Sequence, residues 1–433
     1  MTVNRTSLST TADNSDIFLI AQAGSAFTNF ATLTTSGTFA RPIHVAAGGV
    51  TVDNQGALVT HGDGSSGITV GDPYGARYDN VTIVNHGTIT TTGGTFWDNR
   101  DGPLFASGID LFGDHNKAVN YGTITNLAGD DAGMSSVGSY STMINYGHID
   151  STIAGMILDQ YSGTEAHSTL INYGDIKAHW DGSYGMIATI GDNVLRNYGT
   201  IEVEGVQSFG MALDGDRNQG ENYGTITAAG EADRGVLLEG VGGSFANYGT
   251  IRTSGVDSIG ARFSGEDEPG SDGGTITNYG KIVSAGLSVS GAFANDHFVN
   301  HGSLVGDTHM GSGDDIYVAG KGGSLSGTLT LGPGDDLIVF EKGGGQLTVT
   351  DFTAGASTDD VIDLSALGFH SFGDVLGHAS QSGDDVVLKF GGKDEIVLQH
   401  VALGALSPDD FLLAAGAGHM LPPLGHHDAI GTM

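Results

Sequence analysis

The chain alternates short apolar segments with glycine-containing turns, and this unit recurs along most of its length. In the copy that spans residues 222–246, strand-like segments lie within NYGTITAAG, EADRGVLLEG and VGGSFA. Alternation of apolar and polar residues is typical of β-strands, whereas no segment shows the 3.6-residue period of a helix. The pattern therefore predicts three short strands in each repeated unit.

An asparagine, an aromatic residue and a glycine mark each unit, and the most frequent spacing between units is 25 residues. A fixed period interrupted by insertions is typical of a solenoid whose loops protrude from otherwise equal coils. We therefore predict an all-β parallel β-solenoid (β-helix) of about eleven coils over residues 1–305. Degenerate copies begin at Asn29 and Asn54. The full motif begins at Asn85, Asn120, Asn145, Asn172, Asn197, Asn222, Asn247, Asn278 and Asn300.

Stacked coils would place equivalent residues directly above one another. The asparagines could then form a ladder of side-chain hydrogen bonds along the axis, and we assign them a structural role. The tyrosines that follow most of them would form an aromatic column, and the isoleucines of each unit would face the core. We expect a positive φ angle at the glycine after each aromatic residue, where a Cβ would clash.

Composition narrows the choice of partners. Fifty acidic and 16 basic residues give a formal net charge of −34, which would repel nucleic acid and anionic membranes. The chain has no cysteine, so its stability must come from packing, hydrogen bonds and bound ions rather than disulfides. No apolar stretch is long enough to cross a membrane, and we predict no membrane insertion.

Two similar segments follow the last asparagine unit: residues 311–318 read GSGDDIYV and residues 332–339 read GPGDDLIV. They resemble the nonapeptide of RTX proteins, in which glycines turn the chain so that carbonyl groups and an aspartate face a calcium ion. The resemblance implies an RTX-like calcium-binding region over residues 306–345. The alternative is an acidic turn that precedes a strand. The implied Ca²⁺-binding residues are Gly311, Gly313, Asp314, Asp315, Gly332, Gly334, Asp335 and Asp336.

The remaining segment, residues 346–433, resembles the C-terminal region of RTX proteins that are exported by type I secretion. The similar features are Asp351-Phe352, DVIDL at 360–364, Gly391-Gly392 and DDF at 409–411. The resemblance implies a secreted protein that is extracellular or attached to the cell surface.

Secreted β-helices with such tails include polysaccharide lyases and epimerases, which need a basic residue and an acid–base pair on one face. The sequence offers sparse candidates near Arg77 and Trp97. We therefore predict a non-enzymatic structural protein that self-assembles into a filament or layer, or adheres. The alternative is a β-helix polysaccharide lyase or epimerase.

The expected partners are other copies of the chain, joined end to end or laterally, and surface polysaccharide. A solenoid has open ends, so the first coils could pack on the last coils of another copy. An insertion at residues 91–107 carries Phe96, Trp97 and Phe105. Aromatic residues on a loop outside the coil are typical of a contact site, and we predict that this loop contacts a partner. The alternative is a surface loop that is anchored by its own aromatic residues.

Overall fold

The computed structural model describes residues 1–72, 75–98, 102–104, 106–127, 129, 132–159, 166–264, 272–356 and 360–414; the side chains of residues 96–98, 102–104 and 272 lie outside this description. The chain winds through three series of parallel strands, one of each series in most coils. The predicted all-β parallel solenoid is confirmed.

The first series is a continuous sheet of 16 strands within the described ranges. Its strands are Thr2–Asn4, Ala26–Asn29, Thr51–Asn54, Thr82–Asn85, Lys117–Asn120, Thr142–Asn145, Thr169–Asn172, Val194–Asn197, Gln219–Asn222, Ser244–Asn247, Asp272–Asn278, Asn295–Asn300, Ile316–Ala319, Leu337–Phe340, Val361–Asp363 and Phe411–Leu412.

The second and third series belong to a second sheet. Second-series strands are Leu8–Thr10, Thr32–Thr35, Ala57–Thr60, Thr88–Thr91, Thr123–Asn126, His148–Ser151, Asp175–Ala178, Thr200–Val203, Thr225–Ala228, Thr250–Thr253, Lys281–Ser290, Ser303–His309, Ser324–Ser326 and Gln346–Val349. Third-series strands are Phe18–Ile20, Ile43–Val45, Ile68–Val70, Ile109–Phe112, Ala132–Val137, Ala154–Leu158, Tyr184–Ala188, Phe209–Leu213, Arg234–Glu239, Ile259–Ser264 and Leu329–Thr330, and the long strands Lys281–Ser290 and Ser303–His309 extend into this series.

Alternating burial produces the core. In the strand Thr225–Ala228, Ile226 and Ala228 are fully buried while the two threonines face outward. β-branched side chains suit such half-buried strands. The equivalent isoleucines of successive coils are at most 1% exposed, so they form one continuous core column: Ile89, Ile124, Ile149, Ile176, Ile201, Ile226, Ile251 and Ile282.

Asparagines form a buried ladder at the end of each first-series strand. Each Nδ2 donates a hydrogen bond to Oδ1 of the asparagine in the next coil, over 2.8–3.0 Å. The ladder includes Asn4, which the sequence motif does not identify, and it ends at Asn300, whose Nδ2 donates to the carbonyl oxygen of Ser324. Buried amides with partners on both sides avoid the cost of an unsatisfied polar group.

The glycine after each aromatic residue does not have the expected positive φ angle, so that prediction is wrong. A Cβ on Gly224 would instead overlap the carbonyl oxygen of Gly199 in the preceding coil. The corners of successive coils approach so closely that no side chain fits between them. Glycine is required here for close packing of the backbone and not for an unusual backbone conformation.

The stack continues beyond Asn300 without a break in the first series. The described part of this series has 16 strands, more than the eleven coils counted from the sequence. The motif fails to identify these additional coils because Ala319 and Phe340 occupy the asparagine position there. The predicted calcium-binding region therefore shares its first-series sheet with residues 1–305.

The two ends of the stack differ. At the C-terminal end, the helix Phe372–Leu376 and the antiparallel strands Ala379–Ser382, Asp385–Gly391 and Asp394–Leu398 cover the last coils, with 3-10 turns at Ser365–Leu367, Leu403–Ala405 and Pro408–Asp410. Val375 and Leu388 are buried in the core there. The first coil exposes Val3, Leu8 and Leu19. No helix within the described ranges has the length and apolar character that a membrane span requires.

Replacing Asn222 with alanine tests the ladder. The change leaves one N–H of Asn197 Nδ2 and the Oδ1 of Asn247 without their ladder partners, while Asn197 Nδ2 keeps its bond to the carbonyl oxygen of Gly199. Each unsatisfied buried group costs about 1–3 kcal/mol. We expect a loss of about 2–5 kcal/mol in the free energy of unfolding, measured by urea denaturation. Asn4→Ala is the control, because Asn4 ends the ladder and has one ladder partner. An equal loss in both variants would contradict the account.

Candidate functional site

The two glycine–aspartate turns lie on adjacent coils. The strands that follow them pair in register, with Ile316 opposite Leu337. The N–H of Gly313 donates to the carbonyl oxygen of Pro333 over 3.0 Å. Gly313 and Gly334 have φ angles of 125° and 154°, a region that favours glycine. The 21-residue spacing therefore places one turn against the other.

The two aspartates of each turn have different environments. Asp314 and Asp335 lie toward the solvent, and Asp314 Oδ1 accepts a hydrogen bond from the N–H of Asp335. Asp315 and Asp336 are 1% and 2% exposed. Asp315 and Asp336, the inner aspartates, therefore lack access to water.

The inner aspartates belong to a column of four carboxylates, the aspartate column, formed by Asp296, Asp315, Asp336 and Asp360. Oδ1 of Asp315 accepts from the N–H of Asp296, and Oδ1 of Asp336 accepts from the N–H of Asp315, each over 2.8 Å. Asp360 Oδ1 accepts from the N–H of Asp336 over 3.4 Å. Each of these three carboxylates thus satisfies a backbone donor of the preceding coil.

The second carboxylate oxygens of Asp315 and Asp336 are buried and have no hydrogen-bond partner among the residues that the structure describes. A buried, unpaired carboxylate oxygen is costly unless a cation or a proton compensates it. Carboxylate and carbonyl oxygens are the ligands that Ca²⁺ prefers. The residues of the two turns therefore fit a calcium ion.

The pKa values of the aspartate column also indicate that its buried carboxylates need a compensating cation or proton. Burial raises the pKa of Asp315 to about 9 and that of Asp336 to about 7, and neighbouring carboxylates add to both shifts. Burial also raises the pKa of Asp296 to about 7 and that of Asp360 to about 6. In the absence of a cation, the column reduces its charge by binding protons.

Within the described part of the chain, no three acidic or histidine side chains converge on one point. An ion at these turns would therefore need backbone carbonyl oxygens in addition to the carboxylates. The glycine-rich turns could supply such carbonyls, because residues without side chains allow close approach of the backbone.

The predicted partner loop is an antiparallel hairpin between the second and third series of one coil. Its strands are Phe96–Asp98 and Gly102–Leu104, with Trp97 opposite Pro103. Phe105 lies outside the described residues. That the hairpin contacts a partner stays a prediction.

A group of polar residues lies on the outer face of the third series, and no sequence motif predicted it. His44, Thr69 and Asp110 are register partners on successive coils, and they alternate with isoleucines that face the core. Although they point away from the core, they are only 6%, 4% and 4% exposed. His44, Thr69 and Asp110 form the outer polar group.

Asp16 orients His44. Its Oδ2 lies 2.8 Å from His44 Nδ1, and its Oδ1 accepts from Arg41 Nε over 2.8 Å. Burial opposes ionisation of Asp16, but these hydrogen bonds hold its pKa below the usual value. On the other side, His44 Nε2 and Thr69 Oγ1 are buried and have no hydrogen-bond partner within the described ranges.

Asp110 is bonded to three serines. The hydroxyls of Ser66 and Ser135 donate to its carboxylate. Burial raises the pKa of Asp110, and the hydrogen bonds from Ser135, Ser66 and Ser107 oppose this rise. The outer polar group thus combines an oriented histidine with a buried carboxyl group whose pKa is raised.

Two insertions adjoin strands of this face in the order of the chain. Residues 71–80 follow the strand that holds Thr69, and residues 91–107 precede the strand that holds Asp110. Insertions that gather on one face of a solenoid often mark its binding face. The unequal spacing of the asparagine motifs was the only sequence signal of this face, since the three polar residues share no motif.

The raised pKa values predict a pH dependence in EDTA. Because the folded aspartate column binds protons more tightly than the unfolded chain, its contribution to stability should be complete below about pH 4 and should be lost as the pH rises through about 6 to about 9. Calorimetric melting of the C-terminal coils at several pH values measures the effect. A melting temperature that rises over this interval in EDTA would contradict the prediction.

A comparison with protein-family models gives a match over the first coils. Residues 1–153 are similar to a family described as the BigA third pectate lyase-like domain. No curated protein matches the chain. The matched residues include the hairpin and the outer polar group, and they cover less than half of the chain. The similarity agrees with the β-helical fold of the first coils.

Proposed function

We propose that the protein is a secreted structural protein of the cell surface or extracellular matrix, and that its rod assembles or adheres in a calcium-dependent manner without catalysis. The observation that carries the proposal is the unbroken stack of the first series from Thr2 to Leu412. A stack whose buried amides and core columns run through coil after coil resists bending and local unfolding. Such a rod suits a protein that acts through its shape.

Calcium dependence rests on the aspartate column. Asp315 and Asp336 would hold the ion together with backbone carbonyls of the glycine-rich turns. The ion supplies positive charge to two carboxylate oxygens that have no other partner. Its binding would add to the free energy of folding, so the C-terminal coils would become stable where calcium is abundant, outside the cell.

The RTX-like sequence features support export, and the composition supports the kind of partner. A net charge of −34 opposes association between copies unless cations screen it. Extracellular calcium provides such cations. The helix and antiparallel strands that cover the C-terminal end make a second copy's first coil a poor fit there, which favours lateral over end-to-end contact.

The double variant Asp315→Asn and Asp336→Asn tests the calcium site. Asparagine keeps an oxygen that can accept the backbone N–H but removes the charge that attracts the ion. Calcium should raise the melting temperature of the wild-type protein and leave that of the double variant unchanged. Asp384→Asn is the matched control, because Asp384 lies in an exposed Gly-Asp-Asp turn of the C-terminal hairpin and should keep the wild-type response.

The calcium proposal would be overturned if calcium did not change the melting temperature of the wild-type protein. It would also be overturned if calcium raised the melting temperature of the double variant as much as that of the wild type. Light scattering after size exclusion, with calcium and with EDTA, tests assembly separately. A monomer under both conditions would contradict assembly.

A second candidate function is polysaccharide cleavage or epimerisation, and the outer polar group is the observation that favours it. Asp16 orients the His44 ring through Nδ1, and Nε2 has no partner among the described residues, as a general base requires. Because Nε2 is buried, the candidate also requires that the face open to admit the substrate. Lyases and epimerases begin by removing a proton from the carbon beside a sugar carboxylate. The pectate lyase-like description of residues 1–153 supports this candidate as well.

Incubation with polygalacturonate and with alginate distinguishes the two candidates. A lyase would form unsaturated sugars, detected by ultraviolet absorbance, and His44→Gln would abolish them without lowering the melting temperature. An epimerase would change the sugar composition, detected by proton NMR. Wild-type protein that alters neither polymer would remove this candidate for these substrates.

A further inference from the structure

Nine aromatic rings form a second ladder on the outside of the rod, at the corner between the first and second series. Seven are tyrosines and the two end rings are histidines. Neighbouring rings are nearly parallel, with centroids 4.7–5.2 Å apart and interplanar angles of 3–10°. The tyrosine column consists of Tyr121, Tyr146, Tyr173, Tyr198, Tyr223, Tyr248 and Tyr279, between His86 and His301.

Each tyrosine of the column is 40–51% exposed. The ring faces are covered by the rings of the next coils, so what reaches solvent is a row of ring edges and hydroxyl groups. A sugar ring that needs an open aromatic face would find none along the interior of the column. The surface instead suits a partner that presents a matching row of edges.

The exposed area is adequate for an interface. Partial exposure leaves on the order of 100 Å² per ring, and roughly 700 Å² over seven rings, close to the about 800 Å² that each partner of a standard interface contributes. A continuous row of exposed tyrosines of this extent is typical of a contact surface, because tyrosine combines an apolar ring with a polar hydroxyl.

The strip is nearly neutral although the chain is strongly acidic. The strip comprises the two outward positions before each asparagine from Asn85 to Asn300 and the first outward position of each following second-series strand. Three of these residues are cations and two are carboxylates: Lys117, Arg196, Lys281, Asp175 and Glu221. Arg196 and Glu221 also pair with each other over 2.6 Å. Two acidic copies can therefore approach along this strip without strong repulsion.

We propose that two copies associate side by side through their tyrosine columns, related by a twofold axis near Tyr198, the central ring. The proposal rests on the proposed function and names the face that the assembly uses. The spacing of the column is fixed by the distance between coils, so a second copy matches it at every rung. Twofold pairing uses the same surface on both copies and closes after two.

The absence of cysteine in the chain allows a direct test. Tyr198→Cys, Tyr121→Cys and Tyr279→Cys are each treated with a short bismaleimide in calcium. Tyr198→Cys should crosslink with itself. Tyr121→Cys should crosslink with Tyr279→Cys in a mixture but not with itself, because the two ends of the column face each other across the axis. Val256→Cys, 70% exposed in a turn elsewhere on the coil, is the control.

We expect at least about tenfold more crosslinked dimer for Tyr198→Cys than for Val256→Cys, because pairing raises the local thiol concentration. If Tyr198→Cys lowers the melting temperature, Thr200→Cys on the same coil leaves all rings in place and replaces it. Dimer yields no higher than the control would overturn the proposal, and self-crosslinking of Tyr121→Cys would overturn the twofold arrangement.

Light scattering distinguishes failure of the proposed tyrosine interface from failure of the proposed function. A wild-type protein that assembles in calcium, but whose Tyr198→Cys variant does not crosslink, assembles through another face. A wild-type protein that stays monomeric with and without calcium would refute both the assembly and the interface.

Discussion

The register of one coil on the next is the constraint on which the rest of the structure depends. Parallel backbone hydrogen bonds fix each residue above its counterpart, so a side chain in one coil meets the same position of the next coil at the distance between strands. A residue type that occupies one position of the coil therefore contacts its own kind along the axis. If the stacked side chains satisfy each other's hydrogen bonds, they stabilise the rod. If they do not, each coil contains a buried polar group that needs another partner.

Asparagine and aspartate show the two outcomes. A stacked amide donates to the amide above and accepts from the amide below, so the column from Asn4 to Asn300 is satisfied throughout its length. A stacked carboxylate can accept but cannot donate. The aspartate column therefore keeps unpaired buried oxygens at Asp315 and Asp336 and binds protons more tightly than usual. The same geometry that completes one column leaves the other in need of a cation.

The sequence predicted those features that repeat. The asparagine spacing gave the solenoid class, and the isoleucine positions gave the core, because a periodic signal survives insertions. The role of the corner glycines was misjudged, since close contact between the backbones of two coils is a property of the stack and not of one turn. The coil at Asn4 and those after Asn300 were not counted because their sequences lack the motif. His44, Thr69 and Asp110 could not be grouped from the sequence, because only the register places residues so far apart on one face.

The most direct test of the register is the distance between two residues on different coils, because the register sets this distance by the number of coils between them and not by the number of residues. Thr88 and Lys281 are exposed second-series residues separated by seven coil-to-coil steps. With spin labels on cysteines at these two positions, pulsed electron paramagnetic resonance should give one narrow distribution centred near about 34 Å, seven times the strand spacing. A broad distribution, or a centre displaced by more than the reach of the labels, would contradict the stacked register and the columns inferred from it.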